Sequence, residues 1–170
     1  MILRKATLDD LDFLVRADLK SDDGTMTEQE VAAHRVKIRS YLTDPDKGAF
    51  IWDDGRPVAM IMYLVRSLDV PQFPGEIFGE IDRSVFPPDG RFLEVFQLWV
   101  DPAYRQRGLA TALKRELEAE SVRRGVRLIY THTEETNVIT LHLNRVLGYR
   151  EVRRGPIWDE VIRVSLVKKV

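Results

Sequence analysis

The chain has 170 residues, of which 44% are hydrophobic and 31% charged, with a formal net charge of -1. That length suits one domain with its own apolar core, and the charge balance excludes a general nucleic-acid binder, which carries a basic excess. There is no cysteine, which excludes disulfides, thiolate nucleophiles and Cys-based zinc sites, and His34, His132 and His142 are too dispersed to suggest a metal centre.

The N-terminus, Met1-Ile2-Leu3-Arg4-Lys5, turns polar too early for a signal peptide. No apolar run is long enough to span a bilayer, so the expectation is a cytoplasmic protein with no membrane partner. Ile2 to Ala6 reads as a first strand. Thr7-Leu8-Asp9-Asp10 reads as a helix start, with a capping hydroxyl, early acids and an apolar face of Leu11, Leu14 and Val15. Ser21 to Met26 is a polar break. Thr27-Glu28-Gln29-Glu30 is a second capping box, and Val31, Ile38 and Leu42 carry a helix to about Thr43, which Asp44-Pro45-Asp46 stops. Ala49 to Trp52, the turn Asp53-Asp54-Gly55 and Pro57 to Val65 read as a hairpin. Residues 69 to 90 hold Pro71, Pro74, Pro87 and Pro88 and predict a long irregular excursion with one helical turn near Ile77.

Phe92 to Val100 is a strongly apolar strand that Asp101-Pro102 ends. Leu109, Leu113 and Leu117 mark a helix running to about Arg124, with Gly125 as its C-terminal cap. Val126 to Thr131 predicts a buried strand, and Asn137 to Leu147 a short helix closed by Gly148. Tyr149 to Arg153 and Val161 to Val167 predict the last two strands. The whole is a mixed α/β single domain over residues 1–170.

The informative stretch is Val100-Asp101-Pro102-Ala103-Tyr104-Arg105-Gln106-Arg107-Gly108-Leu109-Ala110-Thr111. A buried strand enters an Arg- and Gly-rich loop, and the loop opens a helix. The first N–H groups of a helix have no intrahelical partner and its dipole favours negative charge there, so this arrangement binds anions. Gly108 and Ala110 lack bulk, which lets a phosphate approach the backbone, and Arg105 and Arg107 can add charge-assisted bonds. Neither the P-loop pattern nor the dinucleotide fingerprint is present.

Arg105-x-x-Gly108-x-Ala110 resembles the [RQ]-x-x-G-x-[GA] signature of the GNAT superfamily of acetyl-CoA-dependent N-acetyltransferases. Asn137, a short helix and Leu147-Gly148-Tyr149 resemble the family's second signature, and the element order follows its fold across most of the chain. The resemblance implies a central, mostly antiparallel sheet with a splayed parallel strand pair, flanked by helices. It implies acetyl-CoA as co-substrate, with the pyrophosphate on Arg105, Gln106, Arg107, Gly108, Leu109, Ala110 and Thr111. The pantetheine arm would lie along Leu98, Trp99 and Val100 and touch Asn137, which also suits a plain helix N-cap. Asn144 stands where many relatives carry a tyrosine beside the thioester sulfur; an amide can hydrogen-bond there but is no proton donor in the same sense.

Glu94 is the candidate general base. It is the only ionisable side chain between Phe92 and Val100, and an apolar strand should raise its pKa toward neutrality; the alternatives are a solvated strand edge or a partner for Arg91. The N–H of Leu98 or Trp99 is a candidate oxyanion donor. Tyr130 and His132 are substitutes for the missing acid, whereas His142 reads as an ordinary packed or surface residue. The acceptor expected is a primary amine on a small molecule, peptide or protein. The acids Asp22, Asp23, Glu28, Glu30, Glu76, Glu80 and Asp82 either attract a cationic amine or simply cap helices and face solvent. Trp52, Phe73, Phe78 and Trp158 line a pocket or fill the core. A catalytically silent acyl-CoA-binding module is the competing reading, and the final strands suit a homodimer.

Overall fold

The computed structural model describes residues 1–19, 26–70 and 77–170. The Ser21–Met26 break, apart from Met26 itself, and Asp22, Asp23, Pro71, Phe73, Pro74 and Glu76 therefore lie outside the described residues. Among the described residues, seven strands and four α-helices follow one another as β1 (Ile2–Lys5), α1 (Leu11–Leu19), α2 (Glu28–Thr43), β2 (Lys47–Asp53), β3 (Pro57–Ser67), β4 (Arg91–Val100), α3 (Leu109–Arg123), β5 (Leu128–Glu134), α4 (Val138–Val146), β6 (Arg150–Gly155) and β7 (Arg163–Lys169). The hydrogen-bonded order of the sheet is β1-β2-β3-β4-β5-β7-β6. β4 and β5 pair in parallel, with Leu93 opposite Ile129 and Glu94 opposite Tyr130. This is the mixed sheet with a parallel pair that the family resemblance implied. Its residues fall into two units, 1–64 with 96–117, and 65–95 with 118–170.

In the first unit, β1 and β2 run antiparallel from Ile2 opposite Asp53 to Lys5 opposite Phe50. The hairpin of β2 and β3 shifts register between Trp52 and Asp53, and Gly55 supplies the positive φ of its turn. The apolar face read from Leu11, Leu14 and Val15 packs with Ile38 and Tyr41 of α2 onto Ile51, Met60 and Met62 of the hairpin. Thr7 caps a short 3-10 turn, Leu8–Asp10, rather than α1 directly. Arg4 explains the detour: it donates to Asp10 and to Asp53, both at 2.8 Å, and so ties the turn to β1 and β2. The second capping box forms as expected, with the Thr27 N–H donating to Glu30 Oε2 at 2.7 Å and the Glu30 N–H to Thr27 Oγ1 at 3.3 Å.

In the second unit, β5, β7 and β6 form an antiparallel sheet, from Leu128 opposite Lys169 to Glu134 opposite Arg163 along β5 and β7. The excursion after β3 carries the expected helical turn, Ile77–Glu80, and a second at Arg83–Val85. Its described part is not loose. Ile77, Phe78, Ile81, Val85 and Phe86 are buried with Phe92, Leu128, Tyr130 and Val167, and Phe78 lies 4.8 Å from the Phe92 ring and 5.0 Å from that of Tyr130. Phe78 therefore fills the core. β5 begins two residues later than its apolar pattern suggests. Val126 is held back at the end of α3, where its N–H donates to the Ser121 carbonyl at 2.9 Å and its carbonyl accepts from Ser121 Oγ at 2.8 Å.

Gly48 in β2 leaves no room for a side chain, because an added Cβ would overlap the ring of the buried Tyr63. Gly48→Ala should lower stability by about 1–3 kcal/mol through overpacking, read as a fall in the urea midpoint at unchanged m-value.

Candidate active site

The loop between β4 and α3 is built by a chain of short-range constraints in the first unit. The Asp101 N–H donates to the Val58 carbonyl at 2.9 Å, and its carboxylate caps the turn Pro102–Tyr104 by accepting from the Ala103 N–H at 3.0 Å. Arg56 reaches the other carboxylate oxygen at 3.3 Å. Pro102, with no N–H to lose, sits at the first position of the turn. Arg105 folds back so that Nε donates to the Val100 carbonyl at 3.2 Å. Arg107 donates to the Ala103 carbonyl at 3.2 Å and lies 5.0 Å from the Tyr104 ring.

Gln106 has φ 59° and Gly108 φ 78°, and Gln106 is the one non-glycine residue with positive φ among the described residues. Such a conformation costs an L-residue of order 1–3 kcal/mol and persists where the surroundings impose it, often at functional sites. The first helical bond of α3 runs from the Ala112 N–H to the Gly108 carbonyl, 3.0 Å. The N–H groups of Leu109, Ala110 and Thr111 therefore precede the ladder and remain available for a ligand. Arg105, Gln106, Arg107 and Gly108 are all exposed, and nothing lies within 4 Å of where a Gly108 side chain would begin. Glycine is required here by its backbone angle, while the space in front of it stays open. An anion meets free amides, a favourable helix dipole and two guanidinium groups on short tethers.

The other candidate residues belong to the second unit. Glu94 is paired with Arg66 rather than Arg91: Nη1 donates to Oε2 at 2.8 Å, and the side chains are 6% and 14% exposed for Arg66 and Glu94. The surroundings of Glu94 are thus not wholly apolar. The Arg66 guanidinium itself lies 4.9 Å from the Phe78 ring and 6.0 Å from that of Phe92. Sequence reasoning missed Arg66, although a signal existed. Arg66 is the lone charge of β3 and Glu94 the lone charge of the inner part of β4, and two opposite lone charges in apolar strands call for each other.

Tyr130, opposite Glu94 in the register, is fully buried. Its hydroxyl shares a hydrogen bond of 2.9 Å with Ser165 Oγ. Burial pushes its pKa well above the usual tyrosine range, with the Glu94 charge adding to the effect. His132, two residues on, is pushed down to about 4 by burial and then by Arg163. Its imidazole lies 5.3 Å from Trp158 and 5.9 Å from Tyr130. Trp158 is 65% exposed and carries the Arg163 guanidinium 4.0 Å from its ring centre. His132 is therefore neutral at physiological pH, which removes it as the acid considered from sequence and also makes it a weak base.

Asn137 caps α4, its Oδ1 accepting from the Thr140 N–H at 3.1 Å. Asn144, one α4 turn from its end, is fully buried, and neither atom of its amide has a hydrogen-bond partner among the described residues. Burying an unpaired polar group costs about 1–3 kcal/mol, which a folded chain tolerates where a ligand supplies the partner. His142 is exposed. Of the acids read as attracting a cation, Glu30 caps α2, Glu80 pairs with Arg153 at 2.6 Å and Asp82 caps the turn at Arg83–Val85. Helix capping and ion pairing account for these three. No group of His, Asp or Glu able to hold a metal occurs among the described residues, and no helix there is long and apolar enough to cross a membrane.

The acetyltransferase (GNAT) family model matches residues 16–149. Solved structures match over the full fold at low identity. NAA60 of Arabidopsis thaliana in complex with a bisubstrate analogue is 19% identical with a TM-score of 0.74, covering 99% of this chain and 97% of that one. Ribosomal-protein-alanine N-acetyltransferase of Brucella melitensis is 17% identical with a TM-score of 0.71, covering 100% of both chains. The aminoglycoside 6'-N-acetyltransferase AAC(6')-Ig of Acinetobacter haemolyticus is 18% identical with a TM-score of 0.68, covering 94% of this chain and 97% of that one. A search of curated protein sequences gives no match.

Two outcomes are expected from the buried charges. Arg66→Met removes the buried Arg66–Glu94 ion pair and should cost about 3–5 kcal/mol, most of it recovered in the double variant with Glu94→Leu; chemical denaturation of the three proteins measures this. Because the folded pKa of His132 lies near 4 and the unfolded one near 6.5, the unfolded chain binds more protons between those values. Stability contributed by neutral His132 is complete above about pH 6.5 and is lost as pH falls toward 4, by at most about 1.4 kcal/mol per pH unit. A melting-temperature series over that window should show a shallower fall for His132→Gln.

Proposed function

Because the chain belongs to the acetyltransferase (GNAT) family, we propose that it transfers the acetyl group of acetyl-CoA to a primary amine of a small molecule, peptide or protein. One observation carries the reading: the open, left-handed entry to α3, where exposed arginines flank N–H groups that have no helical partner. The coenzyme's diphosphate fits that entry by charge and by hydrogen-bond direction, over Arg105, Gln106, Arg107, Gly108, Leu109, Ala110 and Thr111. Leu98, Trp99 and Val100 would take the pantetheine arm, with Asn137 and Asn144. The buried, unpartnered amide of Asn144 supports this assignment, since a thioester or pantetheine amide would satisfy it.

The amine must reach the thioester carbonyl with its lone pair free, although an alkylamine has a pKa of about 10.4. Glu94 takes that proton directly or through water, and Arg66 fixes the carboxylate's orientation. His132, its pKa held near 4 by burial, is too weak a base to share this role near neutral pH. The amine nitrogen bonds to the acetyl carbon, the oxyanion forms against a β4 backbone N–H, and the C–S bond breaks. The thiolate then receives the proton that the amine gave up. Asn144 can donate a hydrogen bond to the sulfur but no proton, so the leaving group takes its proton from the base relay or from solvent.

The acceptor classes named for the structural neighbours are proteins and aminoglycosides, and both present primary amines. Asn144 is also the feature that favours the second reading, a silent acyl-CoA-binding module. A thiol-release assay over polyamines, amino acids, aminoglycosides and peptides separates the two readings, since a silent module releases no thiol with any of them. Acetyl-CoA at a hundredfold excess over Kd should stabilise the native protein by about 2.7 kcal/mol. Gly108→Glu should abolish that stabilisation. Glu94→Gln should keep it and lower turnover, mainly at low pH. Stabilisation that survives Gly108→Glu would place the coenzyme elsewhere.

A further inference from the structure

A polar chain in the first unit ends on one backbone amide of β4. The Leu98 N–H donates to Oε1 of its own neighbour Gln97 at 3.1 Å. Nε2 of the same Gln97 donates to Asp18 Oδ1 on α1 at 3.1 Å. Asp18 Oδ2 in turn lies 2.9 Å from His34 Nε2 on α2, the two side chains being 10% and 13% exposed. Gln97 alone touches that N–H; Asp18 holds Gln97, and His34 lies against Asp18.

The local shape of β4 explains why that N–H needs attention. Phe96 stacks on Tyr41 of α2 at 4.8 Å, and Gln97 reaches Asp18 of α1. Consecutive residues both turn toward the helices, where a regular strand would alternate. Such a break takes an amide out of the ladder and leaves it for another partner. Here the partner is a side-chain oxygen of the preceding residue, held in place by a carboxylate. A backbone N–H closed by its own neighbour's side chain gives up that bond at small net loss when a better acceptor arrives, because one hydrogen bond replaces another.

We propose that Gln97 is a displaceable cap on the Leu98 N–H, anchored by Asp18 and His34, and that acetyl-CoA must displace it to use that donor. The proposal rests on the reading that the coenzyme lies along Leu98. Gln97 is a positioning residue in this scheme. It keeps the donor oriented while the coenzyme is absent, then swings away with Nε2 still held by Asp18. Its Oε1 is then free to accept a hydrogen bond from the amine. The cap competes with the coenzyme, so removing it should tighten coenzyme binding, whereas loss of a merely structural residue would weaken binding or leave it unchanged.

The test is calorimetric titration of the full chain with acetyl-CoA, on the natural protein, Gln97→Met and Asp18→Asn. Methionine keeps the length of the side chain and removes both amide bonds. The expected result is a Kd about two- to tenfold lower for Gln97→Met, the value of one net hydrogen bond, and a smaller decrease for Asp18→Asn. In the coenzyme-free natural protein the Leu98 amide proton should also exchange more slowly than in Gln97→Met, which native-state hydrogen exchange reads without any ligand. An unchanged or higher Kd in a folded Gln97→Met protein overturns the cap. Failure of the natural protein to bind acetyl-CoA overturns the functional reading beneath it, and the two failures are distinct.

Discussion

The site depends on keeping backbone amides unpaired in a defined direction at the start of α3. A helix does this without help, since its first turn has donors and no acceptors. What the chain adds is an entry angle. Asp101 ties the loop to β3 and caps the turn that follows, Arg105 binds back to the end of β4, and the left-handed backbone at Gln106 and Gly108 turns the chain into the helix. The strain at Gln106 is sustained by bonds on both sides of it. Neither exposed arginines nor first-turn amides alone would make an anion site, because both are common; the open, left-handed entry that brings them together is the particular feature here.

The second unit handles buried charge by pairing rather than exclusion. Arg66 neutralises Glu94 at the level of the Phe78 and Phe92 rings, Ser165 shares the Tyr130 hydroxyl, and burial keeps His132 neutral. Each solution leaves a polar group in a defined protonation state beside aromatic surface. An unpaired carboxylate there would be expensive enough to protonate or to unfold the region. The guanidinium therefore does two things at once: it stabilises the fold and it fixes where the carboxylate's remaining lone pairs point.

The α3 entry was legible because a motif and its context agreed: an apolar strand, a loop with Arg105, Arg107 and Gly108, and a helix with leucine spacing. The β2–β3 hairpin and the Thr27 capping box were legible for the same reason, each being local in sequence. What was not legible was long-range. Nothing near Glu94 in the sequence points to Arg66, 28 residues away. Gln97 carries no local signal, because its partner Asp18 comes from α1 and the neighbour of Asp18, His34, from α2. The delayed start of β5 depends on a Ser121 bond that periodicity does not see. Glu30 was legible as part of its capping box, whereas Glu80 and Asp82 were visible only as charge until the structure showed an ion pair and a cap.

That last point bears on how such a site would recognise an amine. With Glu30, Glu80 and Asp82 committed to caps and ion pairs, long-range attraction of a cation is a weak source of selectivity, and it falls with salt. The chemical difficulty also lies with the amine. A thiol of pKa near 8.5 leaves as a thiolate with little help at neutral pH, whereas an ammonium near 10.4 is no nucleophile until its proton is taken. Under the proposed function, an amide at Asn144 in place of a proton donor is therefore tolerable, while loss of the acceptor Glu94 would not be. Glu94, held by Arg66, is under that proposal the residue set against the harder half of the reaction.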